Sequence, residues 1–146
     1  MKQKFREVVI NKCFGGFGLS YEATMEYAKL RGFKLYAYTD GRDKNGNKLS
    51  FDLPNKDRLI EIKSEKEAKE AFIVYYYKDK NFKEHFFDSD IERDDPYLIK
   101  VVKKLEEKAN DNFAELKIVK IPFDIKYTID DYDGAESIEE EHKIWN

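Results

Sequence analysis

The residues best placed for chemistry lie in one stretch, Asn11-Lys12-Cys13-Phe14-Gly15-Gly16-Phe17-Gly18-Leu19-Ser20. It holds three of the chain's seven glycines within four positions. An apolar run leads in and a helical pattern leads out. A glycine turn between a strand and a helix aims backbone N–H groups at whatever sits above the helix N-terminus, which is where anions bind. Ser20 would assist, Lys12 would add charge, and Phe14 or Phe17 would stack on a base. The stretch lacks the Gly-Lys-Ser/Thr ending of a phosphate-binding P-loop. It also has Tyr21 where a dinucleotide fingerprint needs its third glycine. A tight turn with its phenylalanines in the core would use the same residues, so both readings stand.

Other groups admit the same double reading. Arg93, just before Asp94-Asp95-Pro96, has the planar fork that suits phosphate, and equally suits a loop-fixing ion pair. The anion-site reading therefore takes Asn11, Lys12, Phe14, Gly15, Gly16, Phe17, Gly18, Ser20 and Arg93 as ligand contacts. Asp130-Asp131-Tyr132-Asp133-Gly134, with Glu136, Glu140 and His142 following, offers oxygens to a hard cation. In EF-hand register Asp131, Asp133 and Glu140 take ligand positions, but the first position falls on Ile129, which cannot bind a metal. Asp131, Asp133, Glu136 and His142 are thus weak metal candidates, and the same residues serve as an ordinary turn. Cys13 with His85 or His142 would make a nucleophile–base pair, although nothing in the spacing brings them together. No catalytic constellation stands out, which favours binding over turnover. No cofactor is implied.

The elements that must position these groups follow from periodicity. Phe5 to Ile10 reads as a strand. Ser20 caps a helix over Tyr21 to Arg31, with Gly32 just past its end. Phe33 to Tyr38 is extended. Asp40 to Asn47 is loop, and Lys48 to Leu53 is expected to pair back as a short strand. Ser64 to Glu67 is a capping box for a short helix. Ala71 to Tyr77 is the strongest strand, with Asn81 to Phe87 as its hairpin partner across Lys78 to Lys80. Asp95 caps a second long helix, Pro96 to Ala109, with Pro96 at its first position. Ala114 to Ile121 and Asp124 to Ile129 alternate as strands. Asp130 to Gly134 is a turn, and Ala135 to Trp145 reads as a terminal helix, anchored through Ile138, Ile144 and Trp145 on the body or on a second subunit. The expected fold is one α+β domain over residues 1–146: a mainly antiparallel mixed sheet, two longer helices and a short C-terminal helix.

Composition bounds the function. The 146 residues carry 27 basic and 30 acidic side chains, giving a net charge of −3 with no basic block, which disfavours bulk binding to nucleic acid. No apolar run reaches the roughly 20 residues of a membrane helix, and no signal peptide is visible. The single cysteine excludes an intrachain disulfide and fits a reducing cytoplasm. Aromatic residues at 15% point to a ring-rich core or surface.

Taken together, Ile10 to Ser20, Arg93-Asp94-Asp95-Pro96-Tyr97-Leu98, and Asp131-Tyr132-Asp133-Gly134 with Glu136, Glu141, His142 and Trp145 resemble a family of small phage and prophage proteins of unassigned function. The resemblance implies a viral accessory protein of the host cytoplasm, with no catalytic residue or cofactor to carry over. Such proteins often counter host defence, some by sequestering nucleotide signals. Three functions are therefore expected to compete: capture of a small anionic, nucleotide-like ligand; inhibition of a host protein through an aromatic surface; and metal-dependent phosphoester hydrolysis.

Overall fold

The structure is a computed structural model that describes residues 4–68, 73–77, 82 and 84–140. It is α+β, and every strand pairing is antiparallel. The chain forms two compact units, one from residues 1–27 with 88–146 and one from residues 28–87. The chain passes from the first unit to the second within helix α1 (Tyr21–Arg31).

In the first unit, β1 (Phe5–Asn11) pairs with β6 (Leu116–Pro122), Val8 opposite Val119. Cross-strand partners share a face, so Val8, Val119 and Ile121 line one side. On that side Val8, Ile10 and Ile121 are buried, and Tyr127, Ile129 and Ile138 pack against them. Those three come from a hairpin, β7 (Tyr127–Tyr132) and β8 (Ala135–Glu140), in which Ile129 stands opposite Ile138. Helix α4 (Pro96–Leu105) packs on β1 and β6 and buries Leu98, Val101 and Val102. Its start is as the sequence indicates: the Asp95 carboxylate accepts from the Tyr97 N–H at 2.8 Å, with Pro96 at the first position. The second oxygen of Asp95 accepts the Tyr27 hydroxyl at 2.7 Å, which ties α1 to α4. The expected last turn, Glu106–Ala109, is 3-10.

The second unit is a four-stranded sheet in the order β3 (Leu59–Ile62), β2 (Leu35–Asp40), β4 (Val74–Tyr77), β5 (His85–Phe86). One-turn helices α2 (Asn55–Arg58) and α3 (Glu65–Ala68) flank β3. Rings of Phe33, Tyr38, Tyr76, Tyr77, Phe82 and Phe86 interlock in edge-to-face and tilted contacts, so much of the aromatic excess of the sequence goes into this core. Residues 48–53 form no strand; a single bridge joins Arg42 to Lys48. The expected turn at 78–80 lies outside the described residues, as do Ala71 and Phe72 at the start of the expected strand.

A second element differs in kind from the sequence expectation. Ala135 to Glu140 is a strand, not the start of a terminal helix, and Asp130 to Tyr132 belong to the strand before it. The reason is the turn. Asp133 and Gly134 both have positive φ, 49° and 92°, as the two-residue type I′ hairpin requires, and Asp-Gly is a favoured pair for it. The Asp131 carboxylate accepts from the Gly134 N–H at 2.7 Å and closes the turn. Ile138 does anchor its segment, but from a strand. Ile144 and Trp145 lie outside the described residues.

Gly134 is constrained twice over. Besides its positive φ, a Cβ there would lie 2.5 Å from the Gly16 nitrogen and 2.5 Å from the Phe14 carbonyl oxygen. Gly134→Ala is therefore expected to lower stability by more than about 1 kcal/mol, read as a reduced urea midpoint at unchanged m-value. An unaltered midpoint would mean that the hairpin does not abut the glycine loop.

Candidate functional site

The glycine loop is held from below by Asn11. Its side chain is fully buried and all four of its hydrogen bonds are made. The amide nitrogen donates to the Cys13 carbonyl at 2.6 Å and to the Gly134 carbonyl at 2.7 Å. The amide oxygen accepts from the N–H groups of Cys13 at 3.2 Å and Glu115 at 2.8 Å. One side chain thus joins the loop, the β7–β8 turn and the start of β6.

Beside it lies an ion pair. Arg93 grips Glu136 with both arms of its fork, Nη1 to Oε1 at 2.5 Å and Nη2 to Oε2 at 2.9 Å. Glu136 is 6% exposed, and Oε1 also accepts from the Asn11 N–H at 2.8 Å. The Arg93 carbonyl accepts from the Val9 N–H at 2.8 Å, and its guanidinium lies 3.6 Å from the Phe17 ring centroid. Of the two uses open to Arg93, the loop-fixing ion pair is the one present.

Ser20 is the helix cap expected of it: Oγ accepts from the Ala23 N–H at 3.1 Å and donates to the Lys108 carbonyl at 2.6 Å. The Leu19 N–H donates to the Asp88 carboxylate at 2.9 Å, and the Ser20 N–H to the Ala109 carbonyl. A carboxylate already occupies this end of α1. Burial pushes the Asp88 carboxyl above its ordinary pKa, which the nearby Asp111 charge reinforces and the Leu19 and Ser89 amides and Arg93 oppose. Gly18 is crowded by the Asp111 side chain and Gly15 by the Phe113 backbone. Among the described residues, the N–H groups of Phe14, Gly15, Phe17 and Gly18 have no acceptor, and Lys12 stands exposed with its own N–H given to the Glu115 carbonyl. The structure therefore brings all the residues proposed for anion binding to one corner, but it uses Asn11, Ser20 and Arg93 to build that corner.

Among the described residues the weak metal candidates do not form a metal-binding cluster. Glu136 is bound to Arg93, Asp131 to the turn, Asp133 is exposed at the turn tip, and His142 lies outside the described residues. No cluster of three potential metal ligands occurs among the described residues. Cys13 is half-buried at the loop, whereas His85 belongs to the second unit, where it stacks on Phe87 at 5.4 Å.

What sequence reasoning missed is the partner of the loop. Phe113 lies directly over Gly15. Phe14, Phe113 and Tyr132 are 69%, 71% and 71% exposed; Phe113 abuts Gly15, the neighbour of Phe14, and Tyr132 stands two residues before Gly134, which abuts the Phe14 carbonyl. The turn-forming Asp111-Asn112 before Phe113 was the one available sign that its ring is not in the core. A comparison with family models, curated proteins and solved structures finds no match for this chain. No described helix is long and apolar enough to cross a membrane.

Two outcomes follow from this geometry. Asn11→Asp keeps the shape but turns an oxygen towards two carbonyls, so it should destabilise about as much as Asn11→Ala, by about 1–3 kcal/mol for each buried group left unsatisfied. Chemical denaturation of the two variants checks this, and a near-neutral Asn11→Asp would contradict the hydrogen-bond assignment. For Asp88 the folded carboxyl holds its proton to higher pH than the unfolded one. Its contribution is thus most favourable at acid pH and is lost as pH rises through the folded pKa. Asp88→Asn can still accept the Leu19 N–H, so its stability relative to wild type should rise as the pH climbs above the ordinary carboxylate pKa. A gap that stays constant or shrinks would contradict the burial of this carboxyl.

Proposed function

We propose that this chain is a non-enzymatic accessory protein that acts by binding another protein through the aromatic rim of Phe14, Phe113 and Tyr132. The observation that carries this reading is the exposure of three large rings, 69%, 71% and 71%, on a corner whose backbone is pinned by a buried polar network. Exposed aromatic clusters mark interaction surfaces, and a partner gains most where the surface is already ordered. In the setting that the resemblance to phage and prophage proteins implies, the partner is a host protein, and binding inhibits host defence or metabolism.

Capture of a small anion remains the second reading, favoured by the four loop N–H groups that have no acceptor among the described residues. Electrostatics weighs against it. Arg93 is neutralised by Glu136, and Asp88 and Asp111 stand beside Leu19 and Gly18, leaving Lys12 as the nearest exposed cation in the loop.

The test is co-purification from a host cell. The tagged chain is expected to retain a stoichiometric protein through gel filtration. A variant with Phe14, Phe113 and Tyr132 all changed to alanine should melt like wild type and elute alone. Nucleotides and inorganic phosphate should leave the melting temperature unchanged, since a ligand of the native state at 100 times its Kd adds about 2.7 kcal/mol. A wild-type chain that elutes alone, and whose melting temperature rises with a nucleotide in a way that Lys12→Ala abolishes, would overturn the proposal in favour of anion capture.

A further inference from the structure

We infer that the outer edge of β6 accepts a short, acidic, extended segment of the partner as an added β-strand, a deepening of the interaction reading above that rests on it. The argument starts from the ladder. The Lys12 N–H bonds the Glu115 carbonyl, so in the antiparallel register the hydrogen-bonded pairs continue as Ile10 with Lys117, Val8 with Val119 and Arg6 with Ile121. The even-numbered residues of β6 therefore turn their N–H and C=O groups away from β1. The two ends of that outer edge are closed: the Leu116 N–H donates to the Asn110 side chain at 2.9 Å, and the Pro122 carbonyl accepts from the Ile125 N–H at 3.2 Å. Between them, the N–H and C=O groups of Ile118 and Lys120 have no partner among the described residues.

An open edge is a template for another strand, and this one has a definite length and charge. Closure at Leu116 and Pro122 limits it to a segment of a few residues. Lys117 and Lys120 are exposed on opposite faces of the strand, so an added strand meets a cation on either face and acidic side chains are matched. A second copy of this chain fits poorly, because it would bring the same lysines to the new edge. Exposed phenylalanines bracket the strand: Phe113, part of the rim, three residues before it, and Phe123 immediately after it, 71% and 63% exposed. A partner seated on the rim is thus adjacent to the open edge. On β1 the outward N–H groups of Val9 and Asn11 are taken by the Arg93 carbonyl and by Glu136, and the stretch before them carries the acidic Glu7, which does not suit an acidic segment.

The test is an NMR titration of the full ¹⁵N-labelled chain with two five-residue extended peptides, one alternating Glu and Val, the other Lys and Val. The acidic peptide is expected to shift the Ile118 and Lys120 amides, to slow their exchange with solvent, and to bind about tenfold more tightly than the basic one at low salt. Ile118→Pro removes an outward N–H without touching the β1 ladder and should abolish the effect. If that variant does not fold, the double change Lys117→Glu with Lys120→Glu serves instead, and should reverse the preference between the peptides. Equal binding of both peptides, or shifts scattered away from β6, would overturn the inference. A host partner that is lost on mutating the rim but retained by Ile118→Pro would also overturn it, while leaving the interaction reading intact.

Discussion

The carboxylate of Glu136 is the constraint on which the first unit depends. A carboxylate buried to this degree is costly unless charge and hydrogen bonds surround it. Both are supplied from elsewhere in the chain: two arms of Arg93 from the segment before α4, and the N–H of Asn11 from the end of β1. Satisfying one charge therefore fixes β8 beside β1, sets the entry to α4, and holds the β7–β8 turn where Gly134 meets the glycine loop. Asn11 completes the arrangement, because its side chain can bond the Gly134 carbonyl only when Glu136 is in place two residues further on.

This economy of charge also bears on function. The same guanidinium that suits a phosphate on paper is neutralised at bidentate range, and its flat face lies on Phe17. The positive end of α1 faces Ser20 Oγ and, one residue back, Asp88 rather than open solvent. Outward the loop presents the Phe14 ring beside Lys12, on a frame pinned by the hydrogen bonds of Asn11. A protein partner can use that surface with little loss of conformational freedom, because the ordering has been done in folding.

The two long helices were legible in the sequence because their signals are local: Ser20, Asp95 and Pro96 each act within one turn of where they stand. The α+β class followed from the same kind of pattern. The last strand was hidden because its inward positions are Glu136 and Ile138, and an acidic residue on the buried face erases the apolar alternation that marks a strand. Only Asp133-Gly134 pointed to a hairpin, and the glutamates after it read as helix. The site was legible in its glycines but not in its wiring. Nothing local tells Arg93 that its partner lies 43 residues away, or Asn11 that one of its bonds reaches 104 residues on to Glu115. Phe113 over Gly15 is a contact of the same long-range kind.

The most direct measurement is a double-mutant cycle on Arg93 and Glu136, using Arg93→Met, Glu136→Leu and the pair together, with stability read from urea unfolding. If the buried ion pair organises the loop, each single change leaves a charge without its partner and costs about 3–5 kcal/mol. The double variant should then cost less than the sum of the two single changes, with a coupling of about 1–3 kcal/mol. Single changes whose effects merely add, within about 0.5 kcal/mol, would show that Arg93 and Glu136 do not depend on each other. The guanidinium would then be free for a ligand, and the ion pair would not be what organises the glycine loop.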